Sequence, residues 1–407
     1  MYKPKEYLIH GVLFLLTLVT TTLAGGEWIY GKSILASGEA ALTWPFFVRS
    51  LEFSIPFIGI LLVHELGHLF TSIYHKVRCS LPYFIPAWLG FLGSPSLGTF
   101  GAVIQMKGRV NSRKKYFDIG IAGPLAGFVL ALGVLVYGFV TLPPATYLYE
   151  IHPEYADPNF QGYGEEVMEF ELGKNVLFWG LGELLADPGR LPAMSELIHY
   201  PYLFAGYLAL FFTALNLLPI GQLDGGHVLF GLFPKRHALI SLVVFVAFLS
   251  YAGMGVIRPS LPLEELVIRI PLYLGFLYLC LSKSDLSQLN RVTLVLVLAA
   301  SQYLISFFQP NWEGYQGWLF FAFLLGRVMG IRHPEVTGSI SVDTKRKVLG
   351  WLALLIFVLC FSPQPFQTNL IVNGPQSTVD SRGVVGRSLV SKSTTTFPIR
   401  PQLTVVC

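Results

Sequence analysis

Residues 50–73 read SLEFSIPFIGILLVHELGHLFTSI. As a helix this stretch is long enough to cross the roughly 30 Å apolar core of a bilayer. After Glu52 its only ionisable groups are His64, Glu65 and His68. Such groups in an apolar helix are costly unless they face a cavity or a partner, which makes them functional candidates. Their spacing is specific. His64 and His68 lie four apart, on one helix face one turn apart, so both imidazoles reach a single metal ion. Glu65 is rotated about 100° from them and is placed to hold a water molecule and take its proton. Zinc bound by such a pair lowers the pKa of that water toward about 7.

The rest of the chain agrees with a membrane setting. Of 407 residues, 53% are hydrophobic and 13% charged. Soluble proteins carry about 25% charged residues, so too few polar side chains are present to cover a water-facing surface. A soluble globular protein and a disordered chain are both excluded. The net charge of +4 makes no case for nucleic acid as a partner. Cys79, Cys280, Cys360 and Cys407 are scattered and form no CxxC pair, which argues against a disulfide framework or a cysteine zinc site.

Nine apolar stretches are expected to be transmembrane helices, near 7–24, 50–73, 117–141, 201–217, 238–256, 264–281, 292–309, 315–331 and 348–361. The first follows two lysines without a clear cleavage site and reads as a retained helix rather than a signal peptide; no Arg/Ser-rich transit peptide is evident. The uncharged stretch 79–106 is different. Pro82, Pro86, Pro95, Gly90, Gly93, Gly98 and Gly101 break a helix there, yet it is too apolar for a free loop. A re-entrant β segment shielded by helices is the consistent solution, because lipid-exposed irregular backbone leaves its amides unsatisfied.

Charge orients the chain. Residues 107–115 (KGRVNSRKK) carry five bases and no acid, whereas 145–200 carry ten acids and two bases. The positive-inside rule puts 107–115 in the cytoplasm and the acidic insert outside. Alternation then places Lys235, Arg236, Lys283, Arg291 and the cluster Arg327, Arg332, Lys345, Arg346, Lys347 inside as well. The expected organisation is a first helix and outer loop (1–48), a first core part (49–142), an acidic outer-face insert (143–200), a second core part (201–235), additional transmembrane helices (236–362) and a disordered tail outside the fold (363–407). The expected location is the bacterial cytoplasmic membrane, with the active site in its cytoplasmic half.

Two histidines leave a tetrahedral zinc short of ligands. A second polar island lies at 216–227, NLLPIGQLDGGH. Pro219, Gly221 and the pair Gly225-Gly226 unwind a helix there and let Asp224 turn inward as a third ligand. Depth agrees. His64 stands 12 residues before Lys76 and Asp224 stands 11 before Lys235, about 15–18 Å from the same interface at 1.5 Å per residue. His227 is the rival third ligand. The Asn216 amide is a candidate for bonding a substrate backbone or a developing oxyanion, against a packing bond between helices. Gly123 and Gly127, in Gly123-Pro124-Leu125-Ala126-Gly127, read as close helix packing rather than catalysis.

Jointly these residues resemble the site-2 protease family of intramembrane zinc metalloproteases. His64-Glu65-Leu66-Gly67-His68 matches its HExxH helix. Asn216-x-x-Pro219-x-x-x-Leu223-Asp224-Gly225 matches its second motif, and Ala122-Gly123-Pro124 a third patch. Leu97-Gly98-Thr99-Phe100-Gly101-Ala102-Val103 is most similar to the branch of plant plastid proteins named for ethylene-dependent gravitropism deficiency and yellow-green leaves, and to bacterial relatives. The likeness spans roughly 52–235. Two departures stand out: the insert is too short for the outer-face PDZ domains of many bacterial members, and Gly127 occupies a position that is often Asn. The resemblance implies a three-helix core formed by 50–73, 117–141 and 201–217. It also implies a membrane-embedded sheet whose edge receives unwound substrate, and regulated intramembrane proteolysis of membrane-protein substrates within the lipid bilayer.

Glu65 is thus expected as catalytic base, His64, His68 and Asp224 as Zn2+ ligands, and Asn216 as a substrate contact. Two other function classes stay in competition: a membrane metal-ion transporter, and a catalytically silent scaffold that binds membrane substrates. A transporter needs no Glu beside His64 and commonly shows internal repeats, none of which is evident.

Overall fold

The computed structural model describes residues 4–35, 43–108, 110–157, 167–333 and 342–371. Helix α1 (Pro4–Tyr30) leads to α2 (Trp44–Tyr74), whose start is capped by Thr43 accepting from the Phe46 N–H at 3.3 Å. A hairpin follows, β1 (Tyr83–Ala87) antiparallel to β2 (Gly98–Val103), with Tyr83 opposite Val103 and Ala87 opposite Gly98. Helix α3 (Arg113–Val140) precedes the insert, which holds β3 (Val167–Leu172) and α4 (Val176–Leu185). Then come α5 (Pro201–Leu217), α6 (Asp224–Leu232), α7 (His237–Ala252), α8 (Leu263–Cys280) and α9 (Gln288–Phe308). The last elements are α10 (Gly317–Phe323), extended by a π turn to Met329, α11 (Thr344–Cys360) and β4 (Phe366–Ile371).

Each of the nine apolar stretches lies on a helix. Four of the described helices, α1, α2, α3 and α9, are long and apolar enough to cross a membrane; α5, α7 and Gly317–Met329 are shorter. Nine full-length crossings are therefore more than helix length alone supports. Large apolar side chains such as Phe70, Val129, Leu272 and Phe320 stand exposed on the bundle's outside, as a lipid-facing surface requires. Phe53, Phe57, Phe117, Leu135 and Tyr207 fill one core, where α2, α3 and α5 meet. Phe245, Leu249, Leu277 and Trp318 fill a second, within α7 to α10.

The hairpin is clasped by α1. His10 Nδ1 bonds the Pro82 carbonyl at 2.8 Å, Thr20 Oγ1 donates to the Gly98 carbonyl at 2.7 Å, and Trp28 Nε1 donates to the Ser96 carbonyl at 2.8 Å. Gly98 (φ +75°) lies so close to α1 that a Cβ there would fall 2.3 Å from Thr21 Cα, so both conformation and space require glycine.

The tail needs a correction. The sequence pattern placed everything after 363 outside the fold, yet Phe366–Ile371 is a strand paired antiparallel to Val167–Leu172. The Tyr207 hydroxyl pins the junction, 2.8 Å from the Gly173 carbonyl and 2.7 Å from that of Pro365. The partner strand lies some two hundred residues earlier, so no local period signals the pairing. The remainder of the expected disordered tail, 372–407, lies outside the described residues.

A half-buried charge cluster ties three helices together near the basic loop. Asp118 on α3 accepts from Arg346 of α11 at 2.6 and 2.8 Å and bonds His75 Nε2, at the end of α2, at 2.8 Å. Lys76, Lys114, Lys115 and Arg346 line one cavity at this end, so basic residues of the two clusters lie together. Replacing Asp118 by Ala strands the Arg346 guanidinium in a half-buried position. The expected loss is about 1–2 kcal/mol, between an exposed pair and a broken buried one, because Arg346 is part-solvated and keeps Asp343. A thermal melt of Asp118→Ala against the native chain in the same detergent measures it.

Candidate metal centre

Helix periodicity places His64 and His68 side by side on α2, their Nε2 atoms 3.0 Å apart. His68 Nδ1–H donates to the Ile119 carbonyl of α3 at 2.7 Å. The proton is thereby fixed on Nδ1, and Nε2 presents its lone pair. Helix α5 ends at Leu217, and Leu218–Leu223 is non-helical. This turn folds tightly. Gly221 has φ +56°, a Cβ on Gly225 would lie 2.0 Å from the Leu217 carbonyl, and one on Gly226 2.3 Å from that of Gly221. The turn restarts as α6 with Asp224 as its first residue. Asp224 Oδ2 sits 3.6 Å from His64 Nε2 and 3.3 Å from His68 Nε2.

These donors come from α2 and α6, 160 residues apart in sequence, and all lie within 4.8 Å of one another. Ligands about 2.0–2.1 Å from a tetrahedral zinc are separated by about 3.3 Å. The observed edges of 3.0, 3.3 and 3.6 Å bracket that value, so the donor set fits the ion in both chemistry and spacing. Glu65 is buried beside it, with the backbone N–H of Ile104, which directly follows β2, facing its carboxylate.

The rival His227 is not among these donors. Its Nδ1 bonds His333 Nε2 at 2.8 Å, and Phe230 stacks on His333. Asn216 is half-buried near the end of α5, and its amide makes no hydrogen bond among the described residues. Gly123 and Gly127 do more than pack helices. A Cβ on Gly127 would lie 3.1 Å from His64 Cβ, and one on Gly123 2.1 Å from His68 Nε2. The bare backbone of α3 is therefore the wall against which both histidines rest. The motif spacing was visible in sequence; which helix faced it was not.

The family model described as Peptidase family M50 matches residues 52–257, a span that contains most of α2, the hairpin, α3 and the Asp224 turn. The chain belongs to peptidase family M50. The likeness to site-2 proteases and to their plant branch, read from the motifs, agrees with this membership. Among relatives, the probable zinc metalloprotease EGY1 of Arabidopsis thaliana is 31% identical over 248 residues, covering 58% of this chain and 41% of the relative. Its namesake in Oryza sativa subsp. japonica is 30% identical over 272 residues, covering 63% and 43%. This M50 chain thus spans about two fifths of the length of these relatives. Both are named chloroplastic, so they lend no support to a bacterial cytoplasmic membrane. No solved structure gives a significant match. M50 membership and the apolar helices together make this a multi-pass membrane protein.

Proposed function

We propose that the chain is a zinc endopeptidase that cuts transmembrane or membrane-adjacent segments of other membrane proteins. One observation carries the reading: two imidazoles and a carboxylate converge at zinc-ligand spacing with Glu65 beside them, among apolar helices. Relatives named as probable zinc metalloproteases support zinc as the ion. His64, His68 and Asp224 hold it, and when bound it supplies Lewis-acid polarisation of the scissile carbonyl and activation of water.

Glu65 takes the proton of the attacking water and delivers it to the departing amide nitrogen, so the water's oxygen ends on the carbonyl carbon and its proton on the new amine. The Ile104 N–H faces that carboxylate. The amide of Asn216 donates to the substrate backbone. A helical substrate has its amides already paired and must be unwound before attack. The hairpin has two strands, and β2 runs from α1 toward Glu65 with Phe100 and Val103 exposed. An unwound segment added beside β2 has its backbone groups satisfied and passes the catalytic base. Such an enzyme suits regulated intramembrane proteolysis, with its site in the half of the bilayer nearer the basic loops.

Elemental analysis of the purified full chain and of Asp224→Ala, together with cleavage of a reporter bearing one transmembrane segment, tests this. The native chain is expected to carry zinc at the α2–α6 site and to cut; Asp224→Ala is expected to lose that zinc and all cleavage. A folded native chain that takes up no zinc, or an Asp224→Ala chain that still cuts, overturns the reading.

A further inference from the structure

A second set of donors converges in the insert, remote from α6. His152 Nε2 and His199 Nε2 lie 3.3 Å apart, and Glu196 Oε2 lies 3.5 Å from His199 Nε2. All three donors fall within 4.8 Å of one another. His152 is 5% exposed and His199 fully buried.

The proton inventory shows what these donors present to one another. His199 Nδ1 is 2.7 Å from the Ile29 carbonyl, an atom that only accepts, so Nδ1 carries the proton. His152 Nδ1 is 3.2 Å from a Glu154 carboxylate oxygen and is protonated for the same reason. Each neutral ring then turns a lone pair inward at Nε2. Two lone pairs and a carboxylate oxygen at this spacing repel each other unless a shared proton or a metal cation lies between them. Nδ1–H held by a carbonyl or carboxylate, with Nε2 left for ligation, is the outer-shell support of metal-binding histidine. His68 and Ile119 repeat the same arrangement at the first site. The edges of 3.3 and 3.5 Å again match the roughly 3.3 Å between ligands of a tetrahedral zinc. Tyr155 completes the setting: its hydroxyl donates to Glu196 Oε1 at 3.0 Å and its ring stacks on His152.

We propose that His152, Glu196 and His199 form a second divalent-metal site of zinc-like preference, with a structural role. Its ligands come from the two ends of the insert, and His199 is tied to the last turn of α1. One ion there closes the insert onto α1 and fixes the approach to α5, which begins at Pro201 and whose far end leads into the Asp224 turn. This inference stands apart from the catalytic reading.

The test counts zinc in the purified full-length chain after exchange against a weak chelator. The native chain is expected to hold two zinc ions, Asp224→Ala one, and Glu196→Gln one. In the Asp224→Ala background, Glu196→Gln or His152→Gln is expected to weaken zinc binding at least tenfold and to cancel the rise in melting temperature that added zinc produces. Replacing fully buried His199 risks the fold, so Glu196→Gln and His152→Gln carry the test. Each is first checked by its melt without added zinc. A native chain with one zinc that vanishes in Asp224→Ala overturns the proposal and leaves the two histidines sharing a proton. Two zinc ions that both persist in Glu196→Gln and in His152→Gln overturn the ligand assignment. One zinc that survives Asp224→Ala but is lost in Glu196→Gln upholds this site and sinks the catalytic one.

Discussion

Glu65→Gln is expected to cut the rate of reporter cleavage by about a thousandfold or more, within the 10²–10⁴ range that general acid–base groups contribute, while the zinc count stays at the native value. The two effects separate because Glu65 is no member of the His64–His68–Asp224 set. Glutamine keeps the side-chain length and an oxygen toward the Ile104 N–H, so the local fold is retained. What it lacks is basicity: an amide oxygen does not take a proton from water near neutral pH. The paired measurement also separates the three function classes. Zinc retained with cleavage lost identifies a protease. Zinc flux into sealed liposomes that survives the substitution identifies a carrier. A native chain that holds zinc but never cuts identifies a scaffold. Full cleavage by a zinc-loaded Glu65→Gln chain rules out Glu65 as the base.

The sequence disclosed some of this and hid the rest for physical reasons. His64, Glu65 and His68 are legible because helical geometry converts a spacing of four into adjacency, and the apolar context marks the cost of burying them. Asp224 is legible because its Gly/Pro-rich surroundings announce a turn, and because distance to a basic residue gives depth in an oriented chain. The hairpin at 83–103 shows itself through what it cannot be, a helix. Phe366–Ile371 gave no such sign: its partner is β3, and strand pairing across so long a separation leaves no trace in local pattern. His152, Glu196 and His199 were equally silent. Glu196 and His199 share one short 3-10 turn, but His152 lies on a separate turn far earlier in the chain, where no fixed period relates spacing to proximity. Gly123 was half-read, as a packing residue, because the identity of what packs against it belongs to the tertiary structure.

That last residue yields the second large effect. In Gly123→Ala the new methyl would stand 2.1 Å from His68 Nε2 and 2.5 Å from each carbon flanking it. Equal distances to both flanking carbons put the methyl over the face of the ring. Carbon and nitrogen in contact need about 3.5 Å, so the ring must retreat by more than about 1 Å. It has little room to do so, because Nδ1 is bound to the Ile119 carbonyl and that carbonyl belongs to the same helix as the intruding methyl. Either His68 leaves its bond to Ile119 or α3 moves off α2, where Gly67 already faces the Ala122 carbonyl so closely that its own Cβ would lie 2.6 Å away. Both outcomes misplace one donor of three by far more than the roughly 0.2 Å that a zinc site tolerates. Zinc affinity at this site is expected to fall at least a hundredfold, and cleavage with it. The loss in melting temperature of the metal-free chain is expected to be smaller than for Asp118→Ala, since no charge is stranded. Zinc titration of Gly123→Ala beside Gly133→Ala supplies the control, because a Cβ on Gly133, further along the same helix, meets nothing within 4 Å. Equal zinc affinity in the two variants would mean that the backbone of α3 does not support the ligand.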